Sequence, residues 1–146
     1  MVMVIVIFGI ISVYALPKTS FDSSPLTFGG QADLLSADLK RLQWMATTRN
    51  SSICVSVTSG SYSAHPYTTS CDTGTAITDP VTNTAFVVTL PATITLTDSA
   101  PGTPLYFNGL GAPSRQGTYQ LTATSGGLSR TISVTPVTGY ITNTAP

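Results

Sequence analysis

The sequence predicts an α+β fold, with a long N-terminal helical region packed on an antiparallel β-sheet head. Three observations carry this reading. Met1 to Leu16 is almost wholly apolar and holds no charge. Residues 31–49 place apolar side chains at three- and four-residue steps, the period of a helix with one buried face. From Ser51 onward Thr, Ser and branched apolar residues alternate between Gly- and Pro-containing turns, the pattern of short strands.

The first segment, MVMVIVIFGIISVYAL, is hydrophobic on all sides and so is not an amphipathic surface helix. It falls just short of the roughly 20 residues that span a bilayer. Pro17 then ends or kinks it, and Lys18 supplies the first charge. Three readings compete. Val13-Tyr14-Ala15 resembles a small-x-small cleavage site, but the basic start of a signal peptide is missing. A buried core helix is rare as the wholly apolar start of a chain this short. The favoured expectation is a membrane or assembly helix over residues 1–17, built from Val2, Val4, Ile5, Ile7, Phe8, Ile10, Ile11, Leu16 and Pro17.

Residues 18–30 read as a linker, with Pro25 and Gly29-Gly30 as breakers. A helix is expected over 31–49, with Ala32, Leu35, Leu39, Leu42 and Ala46 as its buried stripe and Trp44 filling the core edge. Asp33 and Asp38 early, and Lys40, Arg41 and Arg49 later, suit the helix dipole, and Asn50 can end the helix. The rest of the head, 31–146, is β-rich over 52–142. Ile53 to Val57 is a strand, Ser59-Gly60 a tight turn, and 66–83 a loop. Strands follow at 86–90, 94–97, 105–107, 119–124 and 131–135, and Val137 to Ile141 closes a single sheet.

Composition narrows the function. The 146 residues suit one domain; the formal net charge is zero and only 8% of residues are charged, all six acids being Asp. A nucleic-acid binder needs a basic face to displace counterions, and disorder goes with high charge, so both classes lose support. A neutral, hydroxyl-rich surface packs against neighbours with little repulsion. Cys54 and Cys71 allow a disulfide or two free thiols; export favours the disulfide, whose loop of about 17 residues would contribute roughly 3 kcal/mol. Two cysteines and one distant His make a poor zinc site.

The run Val2 to Ile11 followed by Ala15-Leu16-Pro17 resembles the N-terminal helix of type IV pilins and pseudopilins. In that family a leader ending in Gly precedes Phe-Thr-Leu-x-Glu, which is not found here; aligned on Pro17, the Glu falls immediately before Met1. The expectation is therefore that the native chain starts upstream of Met1. Ala32 to Leu39, Ala46, Arg49 and Cys54 to Val57 are similar to minor pilins and pseudopilins of the GspH/FimT and MSHA pilin MshC type. Phe107, Gly109, Gly111 and Pro113 resemble their turn before a late hairpin, where the glycines are expected to supply positive φ. Ile132-Ser133-Val134 and Thr138 to Ile141 resemble their closing strand and turn. The resemblance implies a non-enzymatic filament subunit. Its helix would sit in the bacterial inner membrane and its head in the periplasm. Its partners would be other pilins, and it would need no cofactor and no small-molecule substrate.

Motifs for chemistry are sparse. His65 lies between Ala64 and Pro66, and no nucleophile elbow, phosphate loop or dinucleotide fingerprint accompanies it. Some FimT-like pilins receive DNA through arginines near the C-terminus. Here Arg115 and Arg130 are the only late cations, and two phosphate contacts give weak, salt-sensitive binding. DNA is thus not expected as a partner, and these two arginines are its only weak candidates. A further alternative is a soluble exported β-domain, an adhesin, released by cleavage near Leu16.

Overall fold

The computed structural model describes residues 24–72 and 74–145. The expected membrane helix over 1–17, with all nine residues assigned to it, lies outside the described residues. Helix α1 runs Ser24–Arg49. It is followed by β1 (Ile53–Val57), β2 (Ser61–Pro66), β3 (Val87–Thr89), β4 (Ile94–Asp98), β5 (Leu105–Phe107), β6 (Gly117–Ala123), β7 (Ser129–Val134) and β8 (Ile141–Thr144).

The helix begins seven residues earlier than the sequence pattern suggests, so the second half of the expected linker is helical. Pro25 does not break it because it lies in the first turn, where its missing N–H has no intrahelical partner to lose. Gly29 and Gly30 sit inside the helix with open space where a Cβ would stand. They cost about 1 kcal/mol each relative to Ala, which the neighbouring buried Phe28 helps to offset. The stripe itself is as expected: Ala32, Leu35, Leu39, Leu42 and Ala46 are all buried. Trp44 is a correction. It is 60% exposed, and Met45 takes the core position in its place.

The dipole reading of the acids also fails, because the first turn holds no acidic residue. Asp33 instead accepts from Asn143 Nδ2 at 2.7 Å, and Asp38 accepts from Tyr62 at 2.7 Å. Both acids tie the helix to the sheets. Asn50, at φ 46°, ends the helix with two backbone bonds, Asn50 N–H to Thr47 and Ser51 N–H to Ala46. This is the left-handed C-terminal cap that Asn tolerates better than most residues.

The strands form two antiparallel four-stranded sheets rather than one. The first has the order β3-β2-β1-β5 and the second β4-β6-β7-β8. A turn closed by Ile94 N–H to Pro91 O separates β3 from β4, and β4 pairs with β6 instead of rejoining the first sheet. Helix α1 packs on β7 and β8 and on β1 and β5, so one helical stripe covers both sheets. Alternate residues of the strands supply the core, as the two-residue period requires: Tyr119 and Leu121 on β6, Ile132 and Val134 on β7, Ile94 and Leu96 on β4. The segment expected to close the sheet, Val137 to Ile141, is mostly a turn. Val137 at φ 73° and Gly139 at φ 66° leave the extended region, and β8 starts only at Ile141.

Candidate functional site: an exposed apolar collar at the helix end

Two loops converge on the last two turns of α1. The first spans Phe107 to Pro113. Phe107 is fully buried and bridges to Pro113. Asn108 Oδ1 accepts from the N–H groups of Leu110 and Ala112 at 2.9 and 3.0 Å, and Asn108 N–H donates to Ala112 O, closing a compact turn. Gly111 has φ 79°, and a Cβ there would stand 2.9 Å from Thr47 Cγ2. The expected positive φ holds for Gly111 and not for Gly109. Gly109 is required by closeness instead: a Cβ would meet Asn50 Oδ1 at 2.7 Å and the Asn50 carbonyl carbon at 3.1 Å.

The second loop is the Pro136–Tyr140 turn, closed by Thr135 N–H to Tyr140 O and Gly139 N–H to Thr135 O. Gln43 fastens both loops to the helix. Its Nε2 donates to Gly111 O at 2.9 Å and to Thr138 O at 3.3 Å. From these three segments four large apolar side chains project into solvent: Trp44, Leu110 (87% exposed), Val137 (82%) and Tyr140. Val137 holds a positive φ that a β-branched residue adopts only under constraint from its surroundings. Gln43 holds the three segments together, and their four exposed apolar side chains form the candidate contact surface.

Sequence reasoning found the glycines of the first loop and a turn at Thr138 to Ile141, but missed Gln43 and the closing bonds of Asn108, and also read Val137 to Ile141 as a closing strand. Asn108-Gly109 and Gly139 were the available signals, since both mark turns. The Gln43 contact joins positions 68 and 95 residues apart and has no local signature.

Cys54 and Cys71 are joined by a disulfide with Cα atoms 5.8 Å apart. It ties the loop after β2 to the centre of the first sheet, where Tyr67 and Tyr106 stack at 3.8 Å beside it. His65 is buried. Its Nδ1 meets Thr75 O at 3.1 Å and its Nε2 meets Ser63 Oγ at 2.8 Å. A carbonyl only accepts, so the hydrogen on Nδ1 points at Thr75, and the Ser63 hydroxyl pairs with Nε2. The imidazole has a carbonyl where a catalytic triad would place a carboxylate.

The Arg115 guanidinium is engaged within the head. Its Nε donates to Thr103 O, its Nη1 to Gln116 O and its Nη2 to Asp98 Oδ2 at 2.7 Å, and the side chain is only 14% exposed. Arg130 pairs with Leu121 far along β6, whereas Arg115 precedes that strand, so the fold does not bring the two together. Among the described residues no cluster of three metal-ligating side chains occurs, and no helix is long and apolar enough to cross a membrane.

The burial of charge is concentrated between α1 and the first sheet. Burial pushes Asp38 above the ordinary carboxylate range, opposed by the Tyr62 hydrogen bond and by Arg41. Tyr62 is raised by its burial and by the adjacent carboxylate. Asp79 behaves oppositely. Burial works against its ionisation, but the Val81 N–H and Arg41 together hold it below the ordinary range. Arg41 pairs with Asp79 and lies 5.8 Å above the Phe86 ring.

Comparison with known proteins agrees with this architecture. The fold is shared with the type IV minor pilin FimU of Pseudomonas aeruginosa, at a TM-score of 0.66 and 15% identity, covering 85% of this chain and 96% of that one. It is also shared with the minor pseudopilin EpsH from the type 2 secretion system of Vibrio cholerae, at a TM-score of 0.63 and 15% identity, covering 80% and 94%. No curated protein matches by sequence. The family described as type II transport protein GspH matches residues 31–138, from the third turn of α1 to the turn before β8. With most of its length matched, this chain belongs to the GspH family of minor pilin-like proteins.

Proposed function

We propose that this protein is a structural minor subunit of a type IV pilus or a type II secretion pseudopilus. Its apolar segment 1–17 anchors it in the inner membrane and its head lies in the periplasm. Membership of the GspH family supports the subunit role. The observation that carries it further is the collar of Trp44, Leu110, Val137 and Tyr140, which offers a neighbouring pilin an apolar surface at the end of the helix. Apolar helices shed lipid for one another in a filament core, and the collar extends that contact to the heads. A neutral head adds no long-range repulsion between copies.

The test is fractionation of the native protein followed by mass spectrometry of its N-terminal peptide. A processed pilin is expected in the membrane pellet, released by detergent, with residues ahead of Met1 reading as N-methylated Phe-Thr-Leu-x-Glu. A soluble chain beginning near Leu16 would overturn the proposal. Leu110→Ser with Val137→Ser should leave the head folded and lower its recovery in sheared filaments.

A further inference from the structure

A cleft of about 610 Å³ opens between the two sheets, with Val55, Val57 and Ser59 of β1 and its following turn on one side and Leu96 and Asp98 of β4 on the other. It is closed at one end by Leu96 N–H donating to Ser59 O at 2.9 Å. Both walls are strand edges, and the hydrogen-bond alternation of antiparallel pairs fixes which backbone groups face the opening.

On β1, Tyr67 bonds Ser52 and Thr58 bonds Ser61, so the even-numbered residues between them serve β2. Ile53, Val55 and Val57 turn the other way. Ile53 and Val55 pair with Phe107 and Leu105 of β5, but the pairing stops there. The next partner of Val57 would be Thr103. Thr103 has spent both backbone groups, its N–H on Ala100 O and its C=O on Arg115 Nε. Among the described residues Val57 is thus left with no partner for its N–H and C=O, which face the cleft.

On β4, Ser99 bonds Thr118 and Thr93 bonds Thr124, so Thr95 and Thr97 serve β6. Leu96 C=O and Asp98 N–H face outward, again without a strand partner among the described residues. The one acid here is neutralised, because the Asp98 carboxylate holds Arg115 and the Ala100 N–H.

We propose that this cleft accepts an extended, uncharged segment of another polypeptide by β-strand addition, with Val57 supplying the main donor and acceptor. The groups in need of partners are backbone groups at strand spacing, which selects a polypeptide over a small polar ligand. Apolar walls and a spent Asp98–Arg115 pair leave a charged side chain no counter-ion, which selects a neutral segment. This site is separate from the collar, and its test uses the dispersed chain, so it stands or falls independently of filament assembly.

The experiment is a titration of the isotope-labelled full chain in detergent micelles with the capped peptide Ac-Thr-Val-Thr-Val-Thr-NH2, up to about 1 mM, a concentration that reports even weak association. Resonances of the Val57 and Asp98 amides should shift, and hydrogen exchange at Val57 should slow at least about tenfold as its N–H gains a partner. The same peptide N-methylated at alternate residues should not bind. Val57→Pro removes the N–H without breaking a β1–β2 bond and should abolish the effect. No shift at 1 mM would overturn the proposal. A shift unaffected by N-methylation would also overturn it, because binding would then be to apolar walls and not to strand edges. The N-methyl comparison decides the matter even if Val57→Pro does not fold.

Discussion

The Tyr62 hydroxyl donates to Asp38 Oδ2 at 2.7 Å, joining the middle of α1 to β2 within a buried layer. The bond makes a costly carboxylate tolerable without making it favourable. Burial raises Asp38 above its ordinary 3.8, so the folded state binds the proton more tightly than the unfolded chain does. Stability from this group is therefore greatest below the ordinary carboxylate range and falls as pH rises through the raised value. Asp38→Asn keeps an acceptor for Tyr62 and removes the buried charge. Its urea midpoint at pH 7 should equal or exceed the parent's. Tyr62→Phe leaves the carboxylate unpaired and should cost about 1–3 kcal/mol at pH 7, with less loss at pH 3.

Asp79 should give the opposite pH signature. Val81 and Arg41 hold it below the ordinary range, so its contribution is present above the unfolded value and is lost as pH falls through the folded one. Asp79→Asn should destabilise the head at neutral pH, and the difference from the parent should vanish on acidification. Parallel urea titrations of both variants from pH 2 to 7 would show slopes of opposite sign. Matching slopes would mean that the two carboxylates are not in the environments described.

The disulfide closes the loop after β2 onto the central strand of the first sheet. In the chain-entropy view a loop of this length contributes about 3 kcal/mol by restricting the unfolded state. Replacing both cysteines by Ser should lower stability by about 2–4 kcal/mol. Dithiothreitol should reproduce that loss in the parent and change nothing in the double variant.

Much of this architecture could be read from the sequence because it rests on local periods. The stripe Ala32, Leu35, Leu39, Leu42 and Ala46 repeats at helical spacing, and each of these residues is buried. Alternation marked β1, β4, β6 and β7 in the same way. What escaped were the features fixed by distant partners. Pro25 and Gly29-Gly30 looked like breakers because propensity is local, whereas the helix is held by packing along its length. Val137 looked like a strand residue by its branched side chain, and only the Gln43–Thr138 contact and the turn around Gly139 show why it is not. Arg115 looked like a free cation because two of its three acceptors, Thr103 O and Asp98 Oδ2, lie 12 and 17 residues away.

The collar depends on its glycines for two different reasons, and substitution should separate them. Gly111→Ala would combine a φ of 79° with a Cβ 2.9 Å from Thr47 Cγ2, and should cost about 1–3 kcal/mol. Thr47→Ser removes that methyl and should recover only the steric part in the double variant. Gly109→Ala has no positive φ and fails by its contact with Asn50, whose carbonyl carbon lies in the helix cap and moves little. Circular dichroism during thermal unfolding would check both. An unchanged midpoint for Gly111→Ala would mean that the loop does not sit against the helix.

Arg115 and Arg130 were equivalent as cations in the sequence, and the fold makes them unequal. Arg115 binds three acceptors while 14% exposed, so Arg115→Ala strips a partner from Asp98, itself only 15% exposed, and frees the Thr103 carbonyl. The loss should be about 2–3 kcal/mol, because a largely buried charge is left without its hydrogen-bonded counter-ion. Arg115→Lys keeps the charge but not the planar fork, and should fall between parent and Ala. Arg130 lies at the start of β7, and Arg130→Ala should change stability by less than about 0.5 kcal/mol. A DNA-contact role makes the reverse prediction: both substitutions would leave stability alone and reduce retention of DNA at low salt. Denaturation of the two variants beside a low-salt filter assay distinguishes the two accounts, and equal, near-zero stability losses would remove the structural role assigned to Arg115.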